Sequence, residues 1–358
     1  MSKKHNFSAG PCILPKEVME QAAKSVIEFD NYGLSLLEMS HRDKKFVKVM
    51  DDACQLVKEL LGVEETHDVL FLQGGASLGF YITALNLLPE GGNAGYVNTG
   101  TWASNAIKEA EMVGNTHVLA SSKDKNFNYI PKGFDVPANL DYLHFTSNNT
   151  IFGTQFKEYP SSPGLLVADM SSDIFSRPFD ANKFDMIYAG AQKNMGPAGS
   201  TLYVIRKGIL GKSGRKLPSM LDLEIHIKKD SMFNTPPVFP IYVAKLTLDW
   251  IKKMGGLQGM YERNEAKAAL IYNEIDRNPL FKGTTAVEDR SSMNATFVLT
   301  DESLKDTFDA MWTAAGVSGI TGHRSVGGYR ASMYNALPIE SVQVLVDVMV
   351  ELEKKNNG

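Results

Sequence analysis

A lysine forms a Schiff base with an aldehyde only as its neutral amine, so a chain that uses one must place it where the ammonium is disfavoured. Lys193 has such neighbours. The run Tyr188-Ala189-Gly190-Ala191-Gln192-Lys193-Asn194-Met195-Gly196-Pro197-Ala198-Gly199 sets it just beyond a short apolar stretch, in a loop too rich in glycine for ordinary helix or strand. Glycine opens backbone conformations closed to other residues and lets a ligand approach closely. Most lysines near loops are solvated surface charges, and the loop alone leaves that reading open.

A second residue narrows it. Gly164-Leu165-Leu166-Val167-Ala168-Asp169-Met170-Ser171-Ser172 reads as a buried strand with Asp169 at its carboxyl end. In open α/β sheets ligands bind beyond the carboxyl ends of the strands. Phe184 to Tyr188 is a further strand that leads straight into the lysine loop, so Asp169 and Lys193 are offered from two strand ends on one edge. An aspartate facing a protonated pyridine nitrogen, with a lysine on the aldehyde carbon, is the pairing used with pyridoxal phosphate.

An anion site is offered by Gln73-Gly74-Gly75-Ala76-Ser77-Leu78-Gly79, which follows a strand and opens a helix. Backbone N–H groups and the helix dipole attract an anion there. Gly74-x-Ala76-x-x-Gly79 also approximates a dinucleotide turn, but that fingerprint wants an acid after the next strand, and Asn98-Thr99-Gly100-Thr101-Trp102 supplies none. A monophosphate cup with Ser77 as hydroxyl donor needs nothing more. Trp102, at the start of a helix, is either a core anchor or a plane on which a flat cofactor stacks. Gly208 to Ser213 mimics a phosphate loop, but the required first glycine falls on Arg206, so a surface turn is expected.

His41-Arg42 and His323-Arg324 sit in turn-like contexts, and Arg330 follows Gly327-Gly328. Arginine grips carboxylate or phosphate through two parallel hydrogen bonds, and histidine adds a pH-dependent donor. No His, Cys or carboxylate cluster has metal-ligand spacing, so no metal is expected.

The elements that must position these residues alternate. Apolar residues recur at helical spacing over 16–30 and 44–61, and strands and helices then take turns from Asp68 to about Arg206. That pattern predicts an α/β protein with a mostly parallel sheet wrapped by helices. After Pro236-Pro237 and a helix over about 241–254 the texture changes to helix 257–277, strand 293–299, helix 302–315, strand 328–334 and a final helix from Ile339. The expected division is a large domain over 16–254 and a small α+β domain from 1–15 and 255–358. The 358 residues carry 43% apolar and 22% charged residues, the composition of an ordinary soluble globular protein, and a formal charge of −4, which implies no general affinity for nucleic acid. The amino terminus lacks the apolar run of a signal peptide, and no stretch approaches a membrane span. Two cysteines, Cys12 and Cys54, form no disulfide framework, so a reducing, cytoplasmic setting is expected.

On these residues the chain resembles the phosphoserine aminotransferases, fold type I pyridoxal-phosphate enzymes of class V. The resemblance runs almost end to end, through Asn6 to Pro11, Ser40-His41-Arg42, the Gly74 turn, Ala168 to Ser172, Ala189 to Gly199, Ser231 to Pro237 and Gly322 to Ser332. It implies that Lys193 is the Schiff-base lysine and proton carrier, and that Asp169 pairs with the pyridine nitrogen. Trp102 would stack on the ring and Thr150 would bond its polar side, with Ala76, Ser77 and Gln192 around the phosphate. Asn234 and Thr235 would reach that phosphate from the partner subunit, which implies a homodimer with shared sites. His41, Arg42, His323, Arg324 and Arg330 would hold the substrate's carboxylate and phosphate. The implied reaction moves the amino group of L-glutamate to 3-phosphohydroxypyruvate, giving O-phospho-L-serine and 2-oxoglutarate. The resemblance brings with it a second pair, that of 4-phosphohydroxythreonine in vitamin B6 synthesis. This chain departs where some members carry Gly-Arg in place of Ala76-Ser77, and serine in place of Ala9. A desulfurase of the same class would want a cysteine in a mobile loop, a context that neither Cys12 nor Cys54 has.

Overall fold

The computed structural model describes residues 4–357. β1 (His5–Asn6) pairs in parallel with the distant β13 (Val317–Ser318), tying the amino terminus to the last third of the chain. α1 (Lys16–Ile27) stops short of the expected residue 30 because Glu28 turns extended, at φ −151° and ψ 132°, and Asp30 and Asn31 beyond it take left-handed φ values of 53° and 51°. α2 (Lys44–Leu61) begins where the Asp43 side chain accepts from Lys45 N at 2.8 Å and ends at Gly62, left-handed at φ 64°. Its Phe46, Val49, Met50, Ala53 and Val57 are buried, the stripe expected of a helix on a sheet.

β2 (His67–Leu72), β3 (Asn93–Asn98), β4 (Asn115–Ser121), β5 (Tyr142–Thr146), β8 (Leu165–Asp169), β9 (Met186–Gly190) and β10 (Thr201–Arg206) form one sheet in the order β2-β10-β9-β8-β5-β3-β4. Between β5 and β8 lies a short hairpin of β6 (Asn148–Asn149) and β7 (Thr154–Gln155). β10 runs antiparallel to both neighbours, and the other pairings are parallel. Two antiparallel steps restore direction, so β2, β3, β5, β8 and β9 all deliver their carboxyl ends to one edge. Leu166 and Ala168 pack toward α1, α2 and α6 (Val238–Lys253), whereas Val167 packs with α3 (Gly75–Leu87) and α4 (Thr101–Glu111). By the two-residue alternation of a strand, Asp169 therefore faces the α3 and α4 side, where Trp102 also packs. α5 (Leu223–Lys228) is a short helix beside β2.

A second apolar cluster forms where α7 (Gly256–Arg277), α8 (Lys305–Ala314) and α9 (Ile339–Asn357) pack around a three-stranded sheet of β11 (Phe281–Gly283), β12 (Asn294–Leu299) and β14 (Tyr329–Ser332). The expected helix 302–315 opens as a 3-10 turn over Glu302–Leu304, because the Asp301 side chain caps Ser303 N at 2.9 Å. The expected strand 328–334 is β14 alone. Among the described residues no helix is long and apolar enough to cross a membrane.

α3 is seated on β9 through a glycine. A Cβ at Gly79 would stand 2.8 Å from Tyr188 Cδ2 and 3.1 Å from Cε2. Gly79→Ala should lower stability by about 1–3 kcal/mol, seen as a fall in the urea midpoint at constant slope. An unchanged midpoint would mean that α3 does not rest on Tyr188.

Candidate functional site

Five strand ends supply the site. β9 ends at Gly190, and the turn that follows carries Lys193, half-buried, with Nζ 3.2 Å from Thr150 Oγ1 and 5.9 Å from the centre of the Trp102 ring. Thr150 is buried at the tip of the β6–β7 hairpin beyond β5. Trp102 lies in the first turn of α4, just beyond β3. Asp169, 4% exposed, ends β8, and its Oδ1 accepts both Ser171 N at 2.9 Å and Ser171 Oγ at 2.5 Å. The Gly74 turn opens α3 beyond β2, with Gly74 and Gly75 at φ 106° and 65° and no side chain capping the first N–H groups. Only glycine takes such angles without strain. Ala76 is half-buried and Ser77 exposed in the first helical turn, and Gln192 is half-buried beside Lys193.

The electrostatics follow from burial. Desolvation pulls the Lys193 ammonium below its ordinary range; Asp169 opposes this most strongly, Arg330 reinforces it, and Asp173 opposes it more weakly. Desolvation pushes the Asp169 carboxyl up, against the Ser171 hydroxyl and the Lys193 charge. A less basic lysine thus faces a reluctant carboxylate, two groups whose charged forms need each other.

The amino-terminal segment locks the lysine turn from above. Cys12 N donates to Gln192 O at 3.2 Å, and Cys12 Sγ to Lys193 O at 2.6 Å. Gly10, at φ 137°, lies where a Cβ would be 3.4 Å from Lys193 Cγ. Burial pushes the Cys12 thiol up to about 12, so this cysteine holds rather than reacts. Tyr334, fully buried, donates to Ala9 O at 2.8 Å. Buried Asp173 takes hydrogen bonds from Ser147 and from Gln155 Nε2. Sequence reading gives Cys12, Asp173 and Tyr334 no place in the site: Cys12 is read there for disulfides and for reactivity rather than as a hydrogen-bond donor, and an acid in a Ser-rich turn or a tyrosine after a strand carries no spacing signal.

The cations divide. Arg330, on β14, is half-buried, is pushed below its ordinary range by desolvation, and has a buried Nε with no partner among the described residues. Arg324 is exposed, and His323 Nδ1 lies 2.7 Å from Ser325 Oγ in the same turn. His41 and Arg42 occupy the turn before α2, where Arg42 N donates to Ser40 Oγ at 3.2 Å. Asn234 and Thr235 are exposed before α6, and Thr235 O accepts from Gln73 Nε2 at 2.8 Å. Among the described residues no hydrogen bond or ion pair joins His41, Arg42, Asn234 or Thr235 to Lys193. Gly208 to Ser213 form turns after β10.

These groups fit a planar aldehyde cofactor with a phosphate and a protonatable ring nitrogen. Asp169 Oδ2 accepts no hydrogen bond among the described residues, so a buried carboxylate oxygen is left for an N–H cation. Trp102 Nε1 is a buried donor that likewise lacks a partner. The Lys193 amine stands between the Trp102 face and the Thr150 hydroxyl, and the α3 N-terminus offers free N–H groups to an anion.

The chain belongs to the class-V aminotransferases, whose family profile matches residues 4–345. It is 62% identical over 354 residues to the phosphoserine aminotransferase of Flavobacterium psychrophilum, covering 99% of each chain. It is 56% identical to that of Porphyromonas gingivalis, over 99% of this chain and all of that one. Among solved structures, the phosphoserine aminotransferase of Bacillus circulans subsp. alkalophilus aligns over 99% of each chain at TM-score 0.96 and 45% identity. The pyridoxal-phosphate-bound phosphoserine aminotransferase of Trichomonas vaginalis aligns at TM-score 0.92 and 35% identity, over 97% of this chain and all of that one.

Lys193→Ala should abolish transamination and remove the visible absorption that an imine between the lysine and the cofactor would give. Turnover retained in that variant would move the chemistry to another residue.

Proposed function

We propose that this chain is a phosphoserine aminotransferase, taking the amino group of L-glutamate and giving it to 3-phosphohydroxypyruvate. The observation that carries the reading is the Lys193 amine held between Thr150 and the Trp102 face, on the sheet edge where Asp169 has one carboxylate oxygen unengaged. Pyridoxal phosphate, when bound, supplies an aldehyde carbon for the amino group and a ring that withdraws electrons from the substrate's α carbon.

The residues of this chain would hold that group and move one proton. Asp169 Oδ2 would accept the N–H of the ring nitrogen, and its burial strengthens the pairing because water cannot compete. Trp102 would cover one face of the ring and Thr150 would bond its polar edge. Ser77, Gln192 and the first N–H groups of α3, from Ala76 onward, would cradle the phosphate. Lys193 Nζ, kept less basic by desolvation, would take the proton from the substrate's α carbon and deliver it to the carbon that the cofactor's aldehyde supplies, and would carry it the opposite way in the second half-reaction, work that suits an amine with a pKa near the working pH. Arg330 would meet a substrate anion with its unpartnered guanidinium, and His323 and Arg324 would close on it from the adjoining turn.

The reading extends to a homodimer with shared sites, in which Asn234 and Thr235 reach the partner's cofactor phosphate, and to His41 and Arg42 as further cations for the substrate. Support for the dimer is that Tyr32, Leu34, Leu37 and Phe233, close in sequence to these residues, are exposed apolar side chains. It extends also to a division into a large domain over 16–254 and a small one from 1–15 and 255–358, supported by the separate apolar clusters. Free Cys12 and Cys54 suit the cytoplasm.

An acceptor panel with glutamate as donor tests the substrate class, with phosphorylated and unphosphorylated 2-oxo acids side by side and the 4-phosphohydroxythreonine pair included. Arg330→Ala and Arg324→Ala should each raise KM for the phosphorylated acceptor about 30-fold, the loss of about 2 kcal/mol from one charged partner. Unchanged KM in both variants would place the substrate anion elsewhere.

A further inference from the structure

A lysine outside the site is buried without a counter-ion. Lys267, on α7, is 1% exposed, and its Nζ donates to two backbone carbonyls, Met333 O at 2.9 Å and Tyr334 O at 2.7 Å. Among the described residues no carboxylate lies within ion-pair distance of it. Desolvation pulls its pKa down to about 7, with Arg263 on the same helix adding to the shift and Cys12 of the amino-terminal segment opposing it. A stability argument alone would place an apolar residue here, since an unpaired buried cation is among the costlier groups to keep.

The carbonyls it holds belong to a segment that joins the two halves of the site. Met333 follows directly on β14, which carries Arg330, and Met333 N is bonded to Met293 O at 2.7 Å. Asn335, two residues on, donates its backbone N–H to Asn194 Oδ1 at 3.0 Å, and Asn194 is the neighbour of Lys193. Asn335 Nδ2 also donates to Phe175 O at 2.9 Å, and its Oδ1 accepts from Asn264 Nδ2 of α7 at 2.8 Å. Asn194, Asn264 and Asn335 are all buried. The stretch from Met333 to Asn335 is thus tied on one side to the lysine turn and on the other to α7, through side chains that water does not reach. Two backbone carbonyls and a run of asparagine amides form a joint with fixed directions, which apolar packing would not specify.

We propose that Lys267 and Asn335 are positioning residues for substrate binding, fixing the strand that carries Arg330 at a set distance from the turn that carries Lys193. The inference deepens the aminotransferase reading and rests on it. Arg330 has a buried donor without a partner, so its direction is set by the backbone that bears it rather than by a salt bridge. The tie to the lysine turn is the main-chain N–H of Asn335, which survives a change of side chain, so loosening the side-chain ties of the joint would leave the cofactor lysine in place and misalign the arginine that meets the substrate anion.

The test uses holoenzyme of Lys267→Met, Lys267→Arg and Asn335→Ala. Met keeps the volume and removes the donors; Arg restores donors to the carbonyls; Asn335→Ala cuts the ties to Phe175 and Asn264 and leaves Lys267 intact. The expected result is a rise of tenfold or so in KM for the phosphorylated acceptor in the Met and Ala variants, about 1.4 kcal/mol. Visible cofactor absorption should be retained, kcat should stay within about a factor of two, and Arg should recover most of the loss. Wild-type KM in both the Met and Ala variants overturns the proposal, as does a fall in kcat at constant KM or an Arg variant no better than Met. If Lys267→Met fails to fold, Asn335→Ala decides alone by the same two constants. Wild-type enzyme that transfers no amino group to the phosphorylated acceptor sinks the functional reading instead, a result visible before any variant is made.

Discussion

A half-buried lysine and a buried aspartate at one sheet edge, neither fully neutralised, are the constraint on which the rest of this molecule turns. Asp169 loses most of its water at the end of β8 and recovers only the two Ser171 donors. Lys193 loses water nearby and recovers the Thr150 hydroxyl. Each shift is driven first by desolvation and opposed by the other group, so neither charge is settled without a third partner. A cationic ring nitrogen for the acid and an aldehyde for the amine satisfy both at once.

Such a pair needs a rigid frame, because the hydrogen bonds that would engage each group weaken steeply with distance and angle. The sheet provides it. Antiparallel β10 lets β2 and β9 point the same way, so the phosphate cup, the indole, the hairpin threonine, the acid and the lysine turn all stand at one edge. The lysine turn cannot be held by the sheet, since it lies beyond the last ladder bond. It is held by chain from far away: the amino-terminal segment through Cys12 and Gly10, and the segment after β14 through Asn335 and Asn194. The same two segments border the arginine strand, with Ser332 N bonded to Phe7 O. The groups proposed to meet cofactor and substrate are thus braced by the same two segments.

The elements that a single sequence reveals are those whose period is long enough to be seen. α2, α7, α9 and the buried strands of the large sheet were legible because eight or more residues repeat one pattern or an apolar run ends in a turn. β1, β13, β6, β7 and β11 are two or three residues long and leave no period. Lys193 and Asp169 were legible because both follow apolar runs, and Trp102 because it opens a helix after a strand; the resemblance supplied Thr150 and the assignment of the arginines. Lys267 was not legible at all. A lysine on an amphipathic helix looks the same in sequence whether its ammonium meets water or two carbonyls. Cys12 was read for its reactivity, whereas its part here is a hydrogen bond.

The central claim is that Lys193, and no other lysine, carries the aldehyde. Borohydride reduction of the purified holoenzyme followed by peptide mapping by mass spectrometry tests it directly. The account predicts one pyridoxyl-phosphate label per chain, on the peptide containing Lys193. A label on Lys267 or any other lysine, or a yellow protein that bleaches with no label on Lys193, would contradict it.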